Sequence, residues 1–298
     1  MADAGFEAEE KGLQRALDFL QTINSVDSAC PDAADELRQL SESYRKLLRQ
    51  SRKLMRISDR LQLQLSEAND ALRTENDKNR TLQTIIKQFI PRNTWQKADL
   101  NSQNANLEIP NEEVHRTCVF LDVVSFTQFS ENRSPEDVIE RLNSVFRPIV
   151  GMIQEKKGDI DKFIGDSIFA VFDDAAAAIT TALKIQQHIF ENKLLTLRIG
   201  IHSGKVIIGN VGGEDRKDNT YMGDNVNISA RLQTHALPGG IMLSEAALEE
   251  ANLRKIVPQL YAITKTPLYV RGREKPIQVV QIEPKIIQQA AAELVSDE

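Results

Sequence analysis

A seven-residue repeat of apolar side chains, running through residues 37–89, constrains this chain more than any other feature. The segment contains no Gly or Pro, and twelve of its sixteen a and d positions are apolar when Tyr and Ala are counted. A repeat of this length is typical of a helix that pairs with another helix in a parallel or antiparallel coiled coil. The sequence therefore predicts one long helix and, through it, a homodimer.

Four polar residues interrupt this seam, namely Ser51, Ser58, Glu75 and Asn79. They weaken the apolar contact, and polar residues at a positions can fix one register or leave two registers close in energy. Two interpretations fit the pattern. The helix is either a plain dimerisation rod or a signal-transmitting element with two packings.

Changes in composition divide the chain into five segments. Pro91 cannot continue a helix, and the Asn-rich stretch after it is typical of a connection. The predicted segments are a short helical N-terminal segment (1–36), the coiled coil (37–91), a linker (92–115), a folded domain (116–286) and a tail (287–298).

The folded domain alternates between strand and helix patterns in the order β-α-β-β-α-β, which predicts an α+β, ferredoxin-like palm with both helices on one face of the sheet. A Ser-Pro start with acids in the first turn marks the first helix. The predicted strands are 116–124, 159–163, 167–172 and 195–202, and the helices are 134–156 and 175–190. Extra strands are predicted at 205–210, after Gly239 and within 268–282, with a helix near Gly223.

The charge and cysteine content favour a protein that works in the cytoplasm. A net charge of -6 argues against nucleic acid as the main partner. The acidic N-terminus is unlike a signal peptide, and no apolar run reaches the ~18 residues of a transmembrane helix. The two cysteines, Cys30 and Cys118, lie in different segments, so no disulfide framework or metal-ligand spacing is predicted.

Two aspartates are placed to converge in the predicted sheet. Asp122 ends the first strand among apolar neighbours, and Asp166 lies in the turn of the hairpin that follows the first helix. In a palm-like sheet these elements are neighbours, so both carboxylates can point to one spot. That arrangement suits a pair of Mg²⁺ ions, which take few carboxylates plus substrate phosphates. Taken singly, each aspartate could equally be a turn or capping residue.

Four motifs in order give the domain a recognisable pattern: FLDVVSFT (120–127), KFIGD (162–166), RIGIHSG (198–204) and GDNVNISAR (223–231). From residue 116 to about 284 the chain resembles the catalytic domain of class III adenylyl and guanylyl cyclases. The resemblance implies two divalent metal ions, Mg²⁺ or Mn²⁺, as cofactors. It also implies a homodimer in which one subunit supplies the metal-binding aspartates and the other the residues for the base and the transition state.

The resemblance also implies roles for individual residues. Lys162 and Thr220 stand where adenylyl members carry Lys with Thr or Asp, whereas guanylyl members carry Glu and Cys, so ATP is the implied substrate. An ammonium can donate to an adenine ring nitrogen, and a hydroxyl can accept from the exocyclic amine. Further implied roles are metal binding by Asp122, Val123 and Asp166, and substrate binding by Phe126, Thr127, Arg271 and Arg273.

Asn227 and Arg231 match the pair that orients the ribose and stabilises the pentavalent phosphorus. They are four residues apart, so on a helix they share one face. Two features depart from the family pattern: Ser125 stands where Gly is common, and either Arg271 or Arg273 takes the place where one Lys is usual. His202 is predicted to bond or pack within the sheet and not to act as a base.

The sequence thus predicts an adenylate cyclase that converts ATP to 3′,5′-cyclic AMP and pyrophosphate, regulated through the coiled coil by an upstream sensor domain or protein. One alternative is a guanylyl or dual-specificity cyclase. Another is a catalytically silent nucleotide-binding or dimerisation module. Diguanylate cyclases and polymerase palms also use two metal ions. The chain has no Gly-Gly-Asp-Glu-Phe sequence, which argues against that interpretation.

Overall fold

A computed structural model describes residues 2–24, 31–103, 108–253, 265–270, 275–285 and 287. The chain divides into two compact units, residues 1–84 and 85–298. Helix α1 (Ala2–Asn24) and nearly all of helix α2 (Pro31–Ile86) form the first unit. Among the described residues, no helix combines the length and the apolar character that crossing a bilayer requires.

Helix α1 folds back along the first half of α2. The Arg52 guanidinium contacts the Glu10 carboxylate at 3.3 Å, and Arg45 donates to the Gln14 side chain at 3.5 Å. The later residue of α1 meets the earlier residue of α2, so the two helices are antiparallel. Leu48 is buried in this unit. The short helix predicted near the N-terminus is therefore part of a helical hairpin.

The long helix predicted from the heptad repeat is confirmed as α2. The a and d side chains that the structure describes stay open to solvent within the single chain, because the α1 contacts fall on other faces of α2. Leu54, Leu61, Leu65 and Leu72 are between 59 and 67% exposed. The pairing of this seam with a second helix remains a prediction.

The second unit contains the predicted α+β domain. Its elements in chain order are α3 (Arg92–Gln103), β1 (Glu112–Val123), α4 (Phe126–Ser130), α5 (Pro135–Glu155), β2 (Asp159–Ile164), β3 (Ser167–Phe172), α6 (Ala175–Glu191), β4 (Leu197–Gly212), β5 (Lys217–Met222), α7 (Asp224–His235), β6 (Ile241–Ser244), α8 (Glu245–Ala251), β7 (Lys265–Leu268) and β8 (Ile277–Ile282).

The sheet has the strand order β2-β3-β1-β4-β6-β8-β7, and β5 pairs with β4 off this path. Strand β1 lies between β3 and β4 and is antiparallel to both. The first four strands of this order are the ferredoxin-like arrangement, so the predicted fold class is confirmed. The added strands β6, β8 and β7 extend the sheet on the β4 side.

Helices α5 and α6 cover one face of the sheet, as predicted. The hydroxyl of Ser134 accepts from the Asp137 amide at 3.1 Å and Pro135 occupies the first turn, so α5 begins where the sequence indicated. Asp174 caps α6 in the same way. The main core lies between these helices and the sheet and includes Leu121, Ile149, Ile179, Leu183 and Ile199.

Two regions differ from the prediction. The segment predicted as a linker contains helix α3 and the first residues of β1. The strands predicted at 195–202 and 205–210 form one continuous strand, β4, because Ser203 and Gly204 keep the extended pairing with β1. The Asn225 side chain occupies the space that a Cβ at position 204 would need, which favours glycine there. Strand β5 and helices α4 and α8 were not predicted.

Candidate active site

Asp122 and Asp166 lie at one end of the central strands. Asp122 is opposite Ser167 in the register of β1 and β3, and its carboxylate accepts a hydrogen bond from the Ser167 hydroxyl. Asp166 follows Gly165, whose φ of 60° permits the tight β2–β3 turn. The amide of Val123 donates to the Asp166 carbonyl at 3.4 Å. The hairpin turn is thereby held beside the end of β1.

The two carboxylates influence each other electrostatically. Partial burial, and then the negative charge of Asp122, raise the pKa of Asp166. A cation between the carboxylates would relieve this repulsion, and hard oxygen donors are the ligands that Mg²⁺ and Mn²⁺ prefer. The described residues contain no group of three or more His, Cys, Asp and Glu side chains that could hold a metal. Mg²⁺ is commonly bound through one or two carboxylates together with substrate phosphates and water, and the pair Asp122 and Asp166 fits that donor set.

The loop after β1 is strained at the position where the family commonly has Gly. Ser125 adopts left-handed backbone angles, with φ 57° and ψ 31°, immediately before α4. The side chain of Phe126 packs against the main core, with its ring 5.9 Å from that of Phe129, whereas Thr127 is exposed. Phe126 can therefore contribute to a phosphate site mainly through its backbone.

Strand β5 folds over the face of the sheet that α5 and α6 leave open. It pairs with β4, yet Thr220 of β5 donates to the Asp161 carboxylate of β2 at 2.7 Å. The Tyr221 ring packs edge-on against Phe169 of β3, with centroids 6.3 Å apart. The structure thus places Thr220 beside β2, although β4, β1 and β3 separate β5 from β2 in the strand pairing.

A bulge in β2 places Asp161 and Lys162 on the same side of the strand. The β2–β3 register shifts between Ile160 and Lys162. Lys162 forms an ion pair with Asp218 of β5, while Asp161 bonds Thr220 of the same strand. Neighbouring residues of a regular strand point to opposite faces, so both can reach β5 only because of the bulge. Lys162 and Thr220 are brought together on either side of Asp161.

Asp161 was not identified from the sequence, although it directly precedes Lys162. Its side chain is 1% exposed, and its Oδ1 has no hydrogen-bond partner within the described part of the chain. Burial raises the pKa of Asp161 to about 6, against the opposing effects of the Thr220 hydrogen bond and the Lys162 charge. The available signal was an acid in the middle of a predicted strand, where a buried carboxylate is costly.

Helix α7 carries Asn227 and Arg231 on one face, with Asn227 exposed and Arg231 partly buried. The helix lies directly on β4, because a Cβ at Gly200 would overlap the backbone of Ser229 and Gln233. This close approach explains why Gly200, the first of the two glycines in the 198–204 motif, has no side chain.

The prediction that His202 bonds within the structure is confirmed. One ring nitrogen is 2.8 Å from the Ser244 hydroxyl, and the other is 2.9 Å from the side-chain oxygen of Asn225. The Asn225 amide in turn donates to the Lys205 carbonyl at 2.7 Å. His202 thereby anchors the first turn of α7 to the sheet.

Two predicted phosphate-binding residues, Arg271 and Arg273, lie outside the described residues. Strands β7 and β8, which flank them in sequence, pair in antiparallel fashion. Among the described residues, the predicted site residues fall into four groups: the carboxylate pair on β1 and the β2–β3 turn, with Val123; Phe126 and Thr127 at the start of α4; the predicted base-binding pair on β2 and β5; and the polar pair on α7.

Known proteins provide an independent comparison of sequence. The sequence model of the adenylate and guanylate cyclase catalytic domain matches residues 110–283, more than half of the chain. An adenylate cyclase of Anabaena cylindrica is 27% identical over 241 residues, which are 75% of this chain and 47% of that protein. Adenylate cyclase 1 of Rhizobium meliloti (strain 1021) is 33% identical over 133 residues, 39% of this chain and 20% of that protein. The chain spans less than half the length of these relatives.

Solved structures of both nucleotide specificities resemble the fold. The adenylyl cyclase CyaB from P. aeruginosa has a TM-score of 0.51 at 25% identity, covering 59% of this chain and 96% of that chain. The guanylyl cyclase Cya2 has a TM-score of 0.52 at 27% identity, covering 58% of this chain and 94% of that chain. Because the sequence model matches more than half of the chain, and the sheet and motifs agree with it, the chain belongs to the adenylate and guanylate cyclase catalytic domain family.

Proposed function

We propose that this cyclase domain acts on ATP and releases 3′,5′-cyclic AMP and pyrophosphate. The observation that carries the choice of ATP is the pairing of Lys162 with Thr220 beside Asp161, which presents a cation and a hydroxyl together. The Lys162 ammonium would donate to a ring nitrogen of adenine, and the Thr220 oxygen would accept from the exocyclic amine. The Anabaena and Rhizobium relatives, both described as adenylate cyclases, support this choice.

Asp122, Val123 and Asp166 are the residues that would hold two divalent metal ions. Their placement at the end of β1 and in the adjacent turn supports this role, as does the mutual repulsion of the two carboxylates. When bound, Mg²⁺ or Mn²⁺ would lower the pKa of the ribose 3′-hydroxyl and neutralise charge on the phosphates. Phe126 and Thr127, with Arg271 and Arg273, would bind the phosphate chain.

In the proposed reaction the 3′-oxygen attacks the α-phosphorus in line, and the bond to the pyrophosphate oxygen breaks as the new bond forms. Asn227 would orient the ribose. Arg231 would stabilise the charge that develops on the pentavalent phosphorus, where a positioned guanidinium is most effective. The shared face of α7 supports a joint role for these two residues.

A homodimer would complete the site, with the carboxylate pair from one subunit and the residues of β2, β5 and α7 from the other. The exposed apolar seam of α2 supports pairing with a second copy, and two-fold symmetry would give two equivalent sites. A change of register or twist in α2 would then reset the angle between the catalytic domains and transmit the signal of an upstream sensor. We also propose that the protein works in the cytoplasm.

The substrate assignment is tested by measuring cyclic nucleotide formation from ATP and from GTP, with Mg²⁺ and with Mn²⁺. The full chain should form cyclic AMP from ATP in preference to cyclic GMP from GTP, and Asp122→Asn should lose activity by roughly 100-fold or more, as expected for a lost metal ligand. Preference for GTP would contradict the assignment to ATP and support a guanylyl cyclase. Nucleotide binding without any product would support a silent binding module.

The control role of α2 is tested on the same assay. Residues 37–86 are replaced with an unrelated dimeric coiled coil of equal length, and turnover is compared with that of the full chain. Unchanged turnover would show that α2 serves assembly only.

A further inference from the structure

Asp161 is a buried acid to which the proposed mechanism gives no task. Its carboxylate lies in the interior, with one oxygen unpartnered among the described residues, in the bulge of β2. Burying a carboxylate that is only partly hydrogen-bonded costs stability, and an isosteric neutral residue would avoid this cost. A costly group beside Lys162 and Thr220 points to a role in the site rather than in the core.

The hydrogen bond between Thr220 and Asp161 has a fixed direction. An ionised carboxylate only accepts, so the 2.7 Å contact must be a donation from the Thr220 hydroxyl. A hydroxyl carries a single proton. With that proton committed to Asp161, the partly exposed Thr220 oxygen offers only lone pairs to any other group.

Lys162 by itself cannot distinguish the two purines. Its ammonium only donates, and adenine offers a ring-nitrogen acceptor where guanine offers a carbonyl-oxygen acceptor close by. The purines differ at the exocyclic position, where adenine has an amine that donates and guanine has an oxygen that accepts. Discrimination therefore requires a neighbouring atom that is restricted to accepting.

We propose that Asp161 is a positioning residue that sets the nucleotide specificity by holding the Thr220 hydroxyl as an acceptor toward the base. Thr220 then matches the amine of adenine and opposes the carbonyl of guanine, lone pair against lone pair. The bulge that turns both Asp161 and Lys162 toward β5 is the structural device that makes this possible. The inference rests on the proposed preference for ATP and explains how that preference arises.

The first test replaces the carboxylate with an amide of the same shape. In Asp161→Asn the amide N–H can donate to Thr220, and the Thr220 proton is then free to bond the guanine oxygen. The ratio of kcat/KM for ATP to that for GTP should fall about tenfold or more. Binding of non-cyclisable ATP and GTP analogues, followed directly, should lose the same preference. A loss of folded protein alone would lower the activity with ATP and with GTP equally and leave their ratio unchanged.

Asp218→Asn is the matched control. Asp218 forms an ion pair with Lys162 from an exposed position on β5. Removing the Asp218 charge therefore leaves the hydrogen bond from Thr220 to Asp161 intact. This variant should retain the wild-type ratio of ATP to GTP. A fall in the ratio equal to that of Asp161→Asn would overturn the proposal, because any change of charge near Lys162 would then suffice.

The wild-type protein offers a second test through pH. The charged and titratable groups that face Asp161 are Lys162 on β2, Asp218 on β5 and the Cys118 thiol on β1, whose pKa burial raises to about 12. The pKa of Asp161 is about 6, so the carboxyl gains a proton as the pH falls through that value. The protonated acid can donate to Thr220. The ATP preference should therefore decline between pH 7.5 and pH 5 in the wild type but not in Asp161→Asn.

The outcomes distinguish a wrong substrate assignment from a wrong role for Asp161. A wild type that uses GTP as well as ATP overturns the proposed substrate. A wild type that prefers ATP, together with a folded Asp161→Asn that keeps this preference, overturns the role of Asp161 alone. If Asp161→Asn does not fold, the wild-type pH series decides, and a pH-independent ratio overturns the role.

Discussion

A few single residues in this chain hold backbone angles that their type does not favour. Ser125 is the clearest case, since its φ of 57° lies in the left-handed region where a Cβ is unfavourable. The family commonly has Gly at this position, and the structure supplies the reason. The strain is located in the loop between Asp122 and α4, where the proposal places the phosphates.

Replacing Ser125 with Gly should relieve this strain. The gain is partly offset by the larger entropy of Gly in the unfolded chain, so we expect about 0.5 kcal/mol of added stability and a rise in Tm of ~1–2 °C. Thermal denaturation measures the effect, and KM for the nucleotide reports any change in the loop.

Lys193→Gly is the control for this substitution. Lys193 has a φ of 50° after α6 and is exposed. It should gain similar stability with KM unchanged, because it lies outside the proposed site. A decrease in Tm for Ser125→Gly would show that the serine side chain stabilises the loop by more than its strain costs.

At the scale of elements, the position of α7 depends on a glycine in the neighbouring strand. Gly200 of β4 lets the helix backbone lie directly against the strand, and His202 anchors the first turn through Asn225. The helix carries both residues proposed to act on the ribose and phosphorus. Its distance from the sheet therefore bears directly on catalysis.

Gly200→Ala should displace α7. The added Cβ overlaps backbone atoms of Ser229 and Gln233, which cannot rotate away as a flexible side chain could. Such overpacking costs about 1–3 kcal/mol, and a misplacement of ~1 Å can lower kcat by roughly 100-fold. Thermal melts and turnover measure the two effects.

Gly151→Ala in α5 is the matched control, because a Cβ there meets no atom within 4 Å. It should stabilise the helix by about 0.5–1 kcal/mol and leave turnover unchanged. Equal stability changes in the two variants would contradict the close packing of α7 on β4.

Helix α3 joins the strands that carry the proposed base-binding residues. Its first amides, those of Arg92 and Asn93, donate to the Asp159 carboxylate of β2 at 3.1 and 3.0 Å. The side-chain amide of Asn93 donates to the Tyr221 hydroxyl of β5 at 2.9 Å, and the Thr94 hydroxyl donates to the side-chain oxygen of Asn219 at 3.1 Å. The helix that directly follows α2 in sequence therefore contacts both sides of the base-binding pair, which supports the proposed control through α2.

For the whole molecule, the proposed dimer has a quantitative consequence. Asp122→Ala and Asn227→Ala subunits would each be inactive as homodimers. After random mixing about half of the dimers contain one subunit of each kind, and each such dimer has one intact site of two. About a quarter of wild-type activity should therefore return. No recovery, with mixed dimers shown to form by a tag exchanged between subunits, would contradict a site shared between chains.

The sequence alone determined the features that depend on local pattern. The heptads defined α2, the Ser-Pro start defined α5, and the strand-turn-strand pattern around Gly165 placed Asp166 in a hairpin turn. Each follows from periodicity, capping or turn chemistry within a few residues. The resemblance of the four motifs then supplied the family, which the comparison of residues 110–283 confirms.

Only the tertiary structure determined how distant segments meet. Thr220 reaches Asp161 across 59 positions of sequence because β5 folds over the open face of the sheet, and the bulge in β2 turns Asp161 toward it. Helix α3 was predicted as linker, since its few apolar residues gave no helical period and its stability comes from contacts with β2 and β5. Burial and long-range hydrogen bonds arise from tertiary packing, so the local sequence does not determine which side chains become buried.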